Sequence, residues 1–317
     1  MNITYLLCLI SSFVISAVLG PVLIPFLHKL KFGQEIREEG PKWHMKKSGT
    51  PTMGGIIFII AVAVVGGIML RKSLKGVMLI YLSLAFGIVG FIDDYIKVVK
   101  KRNLGLTEIQ KLILQIVASF LFMYLLNING IVGTEARIPF TGMKVDFGIW
   151  YIPICIFVII GTVNAVNLTD GLDGLATSVT VIVMLFFISA AAKIGCRESA
   201  VFAVITDGAL LGFLIYNKYP AKIFMGDTGS LFLGGAVAAL AVSNGLIFHL
   251  IIAGLVYVLE TLSVIIQVIS FKTTGKRVFK MSPIHHHFEM CGFSERKIVA
   301  MFSAVALISV IIAYIGL

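Results

Sequence analysis

The sequence predicts an all-α polytopic membrane protein, and its composition and its long apolar runs are the two observations behind that prediction. Of the 317 residues, 58% are hydrophobic and only 13% are charged, which excludes an ordinary soluble domain. A helix that crosses a bilayer needs about 20 mostly apolar residues. Runs near that length predict about ten spans, at 3–26, 53–70, 77–92, 109–127, 147–163, 175–192, 199–216, 230–244, 246–270 and 297–315.

Some of these runs carry features that bear on the number of spans. The first lacks a basic stretch before it and a small-residue cleavage site, so we expect a retained helix rather than a signal peptide. The fifth is interrupted by Pro153, and only Ser243, Asn244 and Gly245 divide the short eighth run from the ninth. The loss of one span would reverse the sidedness of every later segment.

Charges in the connections predict the orientation. Lysine and arginine accumulate on the cytoplasmic side of membrane proteins, and most of the 26 lie in the connections after the odd-numbered spans. Both termini are therefore predicted outside. Arg71, Lys72 and Lys75 on the outer side weaken this bias. Also on the outer side, residues 138–145 roughly alternate about a glycine turn, which predicts a small periplasmic β-hairpin.

The chain shows no sign of a second domain. It has no visible repeat and no linker, so we predict a single integral membrane domain over residues 1–317. Its four cysteines, Cys8, Cys155, Cys196 and Cys291, fall at different levels and lack CxxC spacing. Neither a disulfide framework nor a thiolate metal site is indicated.

Five aspartates at the ends of apolar runs predict a polar site. They are Asp93, Asp94, Asp170, Asp173 and Asp227. The predicted topology places all five on the cytoplasmic face, together with the histidine run and the basic first connection. Carboxylates at a membrane edge usually have a function. The alternative for any one motif is an ordinary solvated loop.

The first motif is Asp93-Asp94-Tyr95-Ile96-Lys97. Adjacent carboxylates suit Mg²⁺, or one of them serves as a base while the other faces the metal. Lys97 could neutralise a phosphate. The alternative is a helix end with an ordinary i, i+4 pair between Asp93 and Lys97.

The second motif runs from Asn164 to Gly174. Gly171 and Gly174 let the backbone approach a ligand closely. The Asn and Asp side chains can form hydrogen bonds with hydroxyl groups or with the edge of a base. A helix cap followed by an Asx turn explains part of it, but not the second Asp-Gly pair.

The third motif runs from Asn217 to Ser230. It offers Asp227, small residues near an anion, and Phe224 as a stacking surface for a base. Its Asp-Thr-Gly-Ser string also resembles an aspartic protease, but no second copy exists in the sequence.

The last predicted cytoplasmic connection holds His285-His286-His287. Contiguous histidines point in different directions, so hydrogen bonds to phosphate or sugar are more natural than a single metal, with a zinc site as the alternative. The first connection, residues 44–55, adds basic groups and a flexible turn, or serves as a lipid-headgroup anchor.

These groups together favour metal-assisted phosphoryl transfer. Two other classes remain open. An ion-coupled transporter would hold its carboxylates near the bilayer midplane and show half-repeats. A prenyltransferase would carry two Asp-rich DxxxD-type motifs, whereas Asp93-Asp94 is followed by Lys97.

The motifs, taken in order, resemble those of the phospho-N-acetylmuramoyl-pentapeptide transferases, within the polyprenyl-phosphate N-acetylhexosamine-1-phosphate transferase superfamily. The resemblance covers essentially the whole chain. The triple histidine followed by Phe288-Glu289 is more similar to the muramoyl-pentapeptide enzymes than to relatives that use UDP-N-acetylglucosamine, although a related UDP-N-acetylhexosamine transferase stays an alternative. The strings that carry it are 49–55, 93–97, 164–174, 224–230 and 283–289.

The resemblance implies a homodimeric, Mg²⁺-dependent enzyme of peptidoglycan and cell wall synthesis, in a bacterial cytoplasmic membrane. It would move phospho-N-acetylmuramoyl-pentapeptide from UDP onto undecaprenyl phosphate, giving lipid I and UMP. Asp227 would be the metal ligand, Asp93 the candidate base and Asp94 its partner in charge balance. The implied substrate contacts are Lys47, Thr52, Lys97 and Lys111 to phosphates; Asn164, Asn167, Asp170, Gly171, Leu172, Asp173, Asn217 and Phe224 on the nucleoside side; and His285, His286 and His287 near the sugar phosphate.

Overall fold

Helices dominate the part of the chain that the structure, a computed structural model, describes: residues 3–29, 47, 49–99 and 105–317. Residues 44–46 and Ser48 of the predicted basic first connection lie outside the described residues. The helices are α1 Ile3–Lys29, α2 Gly55–Leu70, α3 Leu74–Val99, α4 Glu108–Ile128, α5 Tyr151–Thr169, α6 Leu175–Ile194, α7 Arg197–Asn217, α8 Gly226–Ser243, α9 Ile247–Ala253, α10 Leu255–Thr274, α11 Ile284–Met290 and α12 Glu295–Ile315.

The polytopic all-α prediction is confirmed. Within the described ranges, nine helices are long and apolar enough to cross a membrane, and α2, with 16 residues, is a shorter apolar helix. The chain is therefore a multi-pass membrane protein. Neighbouring helices run in opposite directions because short connections join them, so the ends of α3, α5, α7 and α10 meet the starts of α4, α6, α8 and α12 at one end of the bundle.

The ninth predicted span differs from the observed helices. The run 246–270 contains two helices, the short α9 and the long α10, which meet at Gly254. The Gly254 amide donates to the Leu250 carbonyl at 2.7 Å and ends α9. Hydropathy does not detect this break, because the residues on both sides of the glycine are apolar.

Helix α8 lies at the centre of the bundle, and nearly all its side chains are buried. Its sequence is rich in glycine and alanine, and small residues let membrane helices approach closely. Gly234 lies against the backbone of Val163 on α5, and Gly235 lies against Phe86 on α3. This packing holds the first turn of α8, which carries Asp227, between α3 and α5.

A two-stranded antiparallel sheet lies between α4 and α5. Strands β1 (Glu135–Arg137) and β2 (Lys144–Asp146) pair with Ala136 opposite Val145. The predicted hairpin is confirmed, but most of the alternating segment 138–145 forms the connection rather than the strands. A single turn of 3₁₀ helix at Gly148–Trp150 then leads into α5.

The start of α4 is specified locally. Thr107 accepts a hydrogen bond from the Gln110 amide at 3.2 Å, and the Gln110 side chain accepts one from the Thr107 amide at 3.0 Å. This reciprocal capping box satisfies two amides that the first turn would otherwise leave unpaired. It fixes the helix start one turn before Lys111, which faces the aspartates described below.

Candidate active site

Three carboxylates from two helices meet at this end of the bundle. Asp93 and Asp94 lie near the end of α3 and are buried, while Asp227 lies in the first turn of α8. One carboxylate oxygen from each lies within 4.8 Å of the other two. Oxygen ligands of this type and number suit a hard divalent cation.

Asp94 also holds the start of α8. Its Oδ2 accepts hydrogen bonds from the Thr228 amide at 2.9 Å and the Thr228 hydroxyl at 2.7 Å. Its Oδ1 accepts a longer bond from the Asp227 amide at 3.3 Å. A carboxylate at the amino end of a helix satisfies unpaired amides and interacts favourably with the helix dipole. Asp94 thereby fixes the backbone that carries Asp227.

Two lysines bridge Asp93 and Asp227. Lys97 Nζ lies 2.6 Å from Asp93 Oδ2 and 3.0 Å from Asp227 Oδ2. Lys111 Nζ lies 3.3 Å and 2.8 Å from the same two oxygens. The i, i+4 pair of Asp93 and Lys97 is thus present, and it extends across to α8. Two lysines do not neutralise three carboxylates, so the cluster can accept more positive charge.

Polar groups from other segments complete this carboxylate cluster. Asn167 on α5 donates to Asp227 Oδ1 at 2.9 Å and to Ser230 at 2.8 Å. A side chain built at Gly226 would overlap both the Thr52 hydroxyl and the Asp94 carboxylate, so Thr52 lies beside Asp94. Asn167 and Thr52 therefore lie at the carboxylate cluster.

Backbone hydrogen bonds attach the Thr52 segment to the segment before Asp227. The Gly54 amide donates to the Phe224 carbonyl at 2.8 Å, the Gly55 amide to the Met225 carbonyl at 3.0 Å, and the Phe224 amide to the Pro51 carbonyl at 2.9 Å. The two motifs are far apart in sequence but form one rigid unit at the site.

A second group of contacts lies around Asp173. Its carboxylate accepts from Lys47 Nζ at 2.7 Å and from the Ala221 amide at 2.8 Å, and Lys47 also contacts Glu295 at 2.8 Å. Burial lowers the pKa of Lys47, but its hydrogen bonds to Asp173 and Glu295 outweigh that effect and raise the pKa above its ordinary value. Lys47 thus stays charged and joins the first connection to α12.

Asp170 lies between the two groups of contacts, directly after α5. Burial, together with the negative charges of Asp227, Asp94 and Asp173, raises the pKa of the Asp170 carboxyl well above its ordinary value. The negative charges of these neighbouring carboxylates favour the approach of a cation.

Replacing Asp170 by asparagine is expected to stabilise the metal-free protein at pH 8. Because the pKa is raised in the folded state, ionisation of Asp170 destabilises the fold only above its unfolded pKa of about 4. The gain should therefore be absent at lower pH and grow as the pH rises. Thermal unfolding in detergent across this pH range measures it.

Asp146→Asn is the matched control for that prediction. Hydrogen bonds from the Thr134 side chain and the Gly148 amide lower the pKa of Asp146, the opposite direction. Its asparagine variant should gain no stability at high pH. An equal gain for Asp170→Asn at pH 4 and pH 8 would contradict the electrostatic explanation.

Four other predicted residues have contacts of different kinds. Asn217 is buried, donates to the Ile223 carbonyl at 3.0 Å and accepts from Thr177 at 2.6 Å. Asn164 donates to Gln115 of α4 at 2.9 Å. Leu172 is buried in the core. Phe224 is half-buried, with its backbone paired as described above.

The three histidines have separate partners, as their adjacency predicts. His285 Nδ1 lies 3.0 Å from Glu260, and His286 Nδ1 lies 2.6 Å from Glu289. His287 Nδ1 accepts from the Lys280 amide at 3.2 Å. The rings of His285 and His286 lie 4.1 Å apart.

The structure adds residues that the sequence interpretation did not include among the site residues. Glu260 and Gln115 give a sequence signal, because each is a polar residue inside an apolar run. Glu289 lies three residues after His286, which is also a recognisable spacing. Glu295 gives no signal, since an acidic residue at the start of a helix is common.

Two known family models match parts of this chain. The family model described as glycosyl transferase family 4 matches residues 76–245. The phospho-N-acetylmuramoyl-pentapeptide-transferase signature 1 matches residues 47–59, which include Lys47 and Thr52.

Proteins named phospho-N-acetylmuramoyl-pentapeptide-transferase are similar over the full length. One from Clostridium botulinum (strain Eklund 17B / Type B) is 55% identical over 318 residues, covering 100% of this chain and 98% of the relative. One from Clostridium perfringens (strain 13 / Type A) is 51% identical over 313 residues, covering 98% of each chain. One from Clostridium beijerinckii is 55% identical over 316 residues, covering 98% of this chain and 95% of the relative.

Proposed function

Since this chain belongs to the phospho-N-acetylmuramoyl-pentapeptide transferases, we propose that it transfers phospho-N-acetylmuramoyl-pentapeptide from UDP to undecaprenyl phosphate. The products are UMP and lipid I, in the first membrane step of peptidoglycan synthesis. The observation that carries the proposal is the cluster of Asp93, Asp94 and Asp227 with two lysines, at one end of a membrane-spanning bundle. Such a cluster suits a reaction that brings two phosphate-bearing substrates together.

Mg²⁺ is the cofactor that fits this cluster. Its donors are carboxylate oxygens, and Asp93 Oδ2 is buried with Lys97 and Lys111 as its neighbours. Asp227 is the proposed principal ligand, with Asp93 and Asp94 beside it. When bound, Mg²⁺ supplies positive charge that offsets the repulsion between diphosphate and lipid phosphate. Asp94 holds Asp227 in place through the start of α8.

The lysines provide the proposed site for the acceptor phosphate. Lys97 and Lys111 both point toward Asp93, so a phosphate held by their ammonium groups would lie next to the Asp93 carboxylate. From that position Asp93 can take a proton from the lipid phosphate or hold the metal. Occupation of this place by phosphate would also exclude water and prevent hydrolysis.

The nucleoside side of the pocket is proposed around Asp173. Lys47, Asp170, Asp173 and Asn217 offer charged and amide groups, and half-buried Phe224 offers a face for the uracil ring. Gly171 and Leu172 supply the backbone between them. Thr52, Asn164 and Asn167 support the adjoining phosphate side, and His285, His286 and His287 lie near the sugar phosphate.

The proposed setting is a bacterial cytoplasmic membrane with the site facing the cytosol. Both termini would then lie outside, and the hairpin would be periplasmic. We further propose a single domain over residues 1–317 that works as a homodimer. Reporter fusions near residues 99, 145 and 220 test the orientation, because the first and last positions should report the cytosol and the middle one the periplasm.

The proposed reaction is tested with purified protein in detergent. The assay contains UDP-N-acetylmuramoyl-pentapeptide, undecaprenyl phosphate and Mg²⁺, and it measures UMP. Release of UMP that requires both the lipid and the metal supports transfer. UMP release without lipid would indicate hydrolysis instead, and equal turnover of UDP-N-acetylglucosamine would favour the related hexosamine transferases.

Lys111→Gln is expected to lower kcat/KM for undecaprenyl phosphate by about tenfold or more, because a charged hydrogen bond to phosphate contributes about 1.5–3 kcal/mol. The KM for the UDP-sugar should change much less. Lys144→Gln, which removes an exposed ion pair with Glu135 in the hairpin, is the control and should leave both constants unchanged. If Lys111→Gln changed only the constants for the UDP-sugar, Lys111 would not bind the acceptor phosphate.

A further inference from the structure

A buried carboxylate and a buried imidazole form a pair next to the connection between α5 and α6. Glu260 lies on α10 and His285 lies in the first turn of α11, and their side chains are 0% and 1% exposed. His285 Nδ1 lies 3.0 Å from Glu260 Oε2. Because a carboxylate only accepts hydrogen bonds, this contact places a proton on Nδ1 and leaves Nε2 as the other functional atom of the ring.

Both residues have a second polar atom whose hydrogen bonding is not satisfied within the described part of the protein. Glu260 Oε1 and His285 Nε2 are fully buried and have no hydrogen-bond partner there. Buried polar atoms without partners are unfavourable and uncommon in native structures. Nε2 of His285 is therefore available as a hydrogen-bond donor to a bound ligand.

The Nε2 end of the imidazole faces the connection between α5 and α6. Nε2 of His285 lies against Gly171, where a Cβ would overlap that nitrogen. Gly171 lies in the short connection between α5 and α6, with Asp170 before it and Asp173 two residues after it. The imidazole therefore lies at the edge of the proposed nucleotide site, beside Gly171.

The neighbouring ring restricts the orientation of His285. The two imidazole centroids of His285 and His286 are 4.1 Å apart, and His286 is itself held by Glu289 at 2.6 Å. The His286 ring packs against His285 and restricts its movement. The orientation of Nε2 thus depends on the contact with Glu260 and on the packing against His286.

We infer that Glu260 is a positioning residue, which holds His285 through Nδ1 so that Nε2–H donates to a phosphate oxygen of the sugar nucleotide at the Gly171 edge. The identity of that ligand rests on the proposed function. Donation from both ring nitrogens gives the bound ring a positive charge, which lies between the Glu260 carboxylate and the phosphate. Glu260 itself does not touch the substrate.

A double-mutant cycle tests the inference. Glu260→Ala and His285→Ala are each expected to lower kcat/KM for UDP-N-acetylmuramoyl-pentapeptide by about 10- to 100-fold. The double variant should be no worse than His285→Ala alone, because Glu260 acts through the imidazole. Glu260→Gln keeps an acceptor for Nδ1–H and should lose only a fewfold, so it separates lost orientation from lost charge.

The matched control is Asp207→Asn. Asp207 is also a buried carboxylate in the bundle, on α7, with an oxygen that lacks a partner among the described residues. It should leave kcat/KM within about twofold of the wild type. Thermal unfolding of every variant shows whether a loss of activity follows from a loss of folded protein.

The same double-mutant cycle is also measured without transfer. Calorimetry with Mg²⁺ and without lipid gives the UMP affinity of each variant. The same non-additivity is expected there. If the wild type binds UMP but transfers no sugar phosphate, the proposed reaction fails while the binding cycle still decides the role of Glu260. Wild-type affinity and activity in Glu260→Ala, or an equal additional loss in the His285→Ala background, would overturn the inference.

Discussion

Asp227→Asn is expected to lower the rate of lipid-dependent UMP release by about a thousandfold, since removing one group that stabilises developing charge typically lowers kcat by about 10²–10³ and Asp227 has several such roles. Its Oδ2 lies within 3.0 Å of both Lys97 and Lys111. Asparagine can still accept from Asn167, but it removes the charge that holds the two lysines and the proposed metal. The dependence of UMP release on Mg²⁺ concentration measures both effects.

The control for this variant is Asp207→Asn, in which a buried carboxylate on α7 becomes an amide. It should retain activity close to wild type. Asp227→Asn should also unfold at a temperature similar to that of the wild type, since the asparagine keeps the shape of the side chain. Unchanged turnover and unchanged Mg²⁺ dependence in Asp227→Asn would remove Asp227 from the site while leaving the family membership intact.

Gly90→Ala is expected to lower activity by about 100-fold, although the glycine carries no functional group. A Cβ at this position on α3 would overlap the backbone carbonyl of Asp227 and crowd the Thr228 amide. The start of α8 must then shift away from α3, and Asp227 shifts with it. A displacement of about 1 Å at a catalytic site lowers the rate by about 10²-fold.

The stability of Gly90→Ala should fall by about 1–3 kcal/mol, the usual effect of overpacking a tight contact. Gly67→Ala on α2 is the matched control, because no atom lies within 4 Å of a Cβ built there. Thermal unfolding and the rate of UMP release are measured for both. Wild-type activity in Gly90→Ala would mean that the contact between α3 and α8 does not position Asp227.

Much of the fold follows from local sequence features. An apolar run of sufficient length has to form a helix in lipid, because every backbone amide and carbonyl in the hydrocarbon must be paired within the segment. The start of α4 and the hairpin of β1 and β2 follow from polar and turn residues. The break at Gly254 could not be predicted in this way, since hydropathy is continuous across it.

Only part of the candidate site could be predicted from the sequence. Aspartates at the ends of apolar runs predict a shared site once the helices are taken to alternate in direction. That reasoning gives no partner for any side chain. It does not show that Asp94 caps α8, that Asn164 faces Gln115, or that Lys47 joins Asp173 to Glu295.

The sequence by itself determined that this chain is a multi-pass helical membrane protein of the phospho-N-acetylmuramoyl-pentapeptide transferase family. It could do so because hydrophobic runs and linear motifs are local properties. Only the tertiary structure decided which oxygen faces which ammonium group, and that Gly90 and Gly171 must lack side chains. Those features depend on distances between helices far apart in the chain, and packing in three dimensions alone sets such distances.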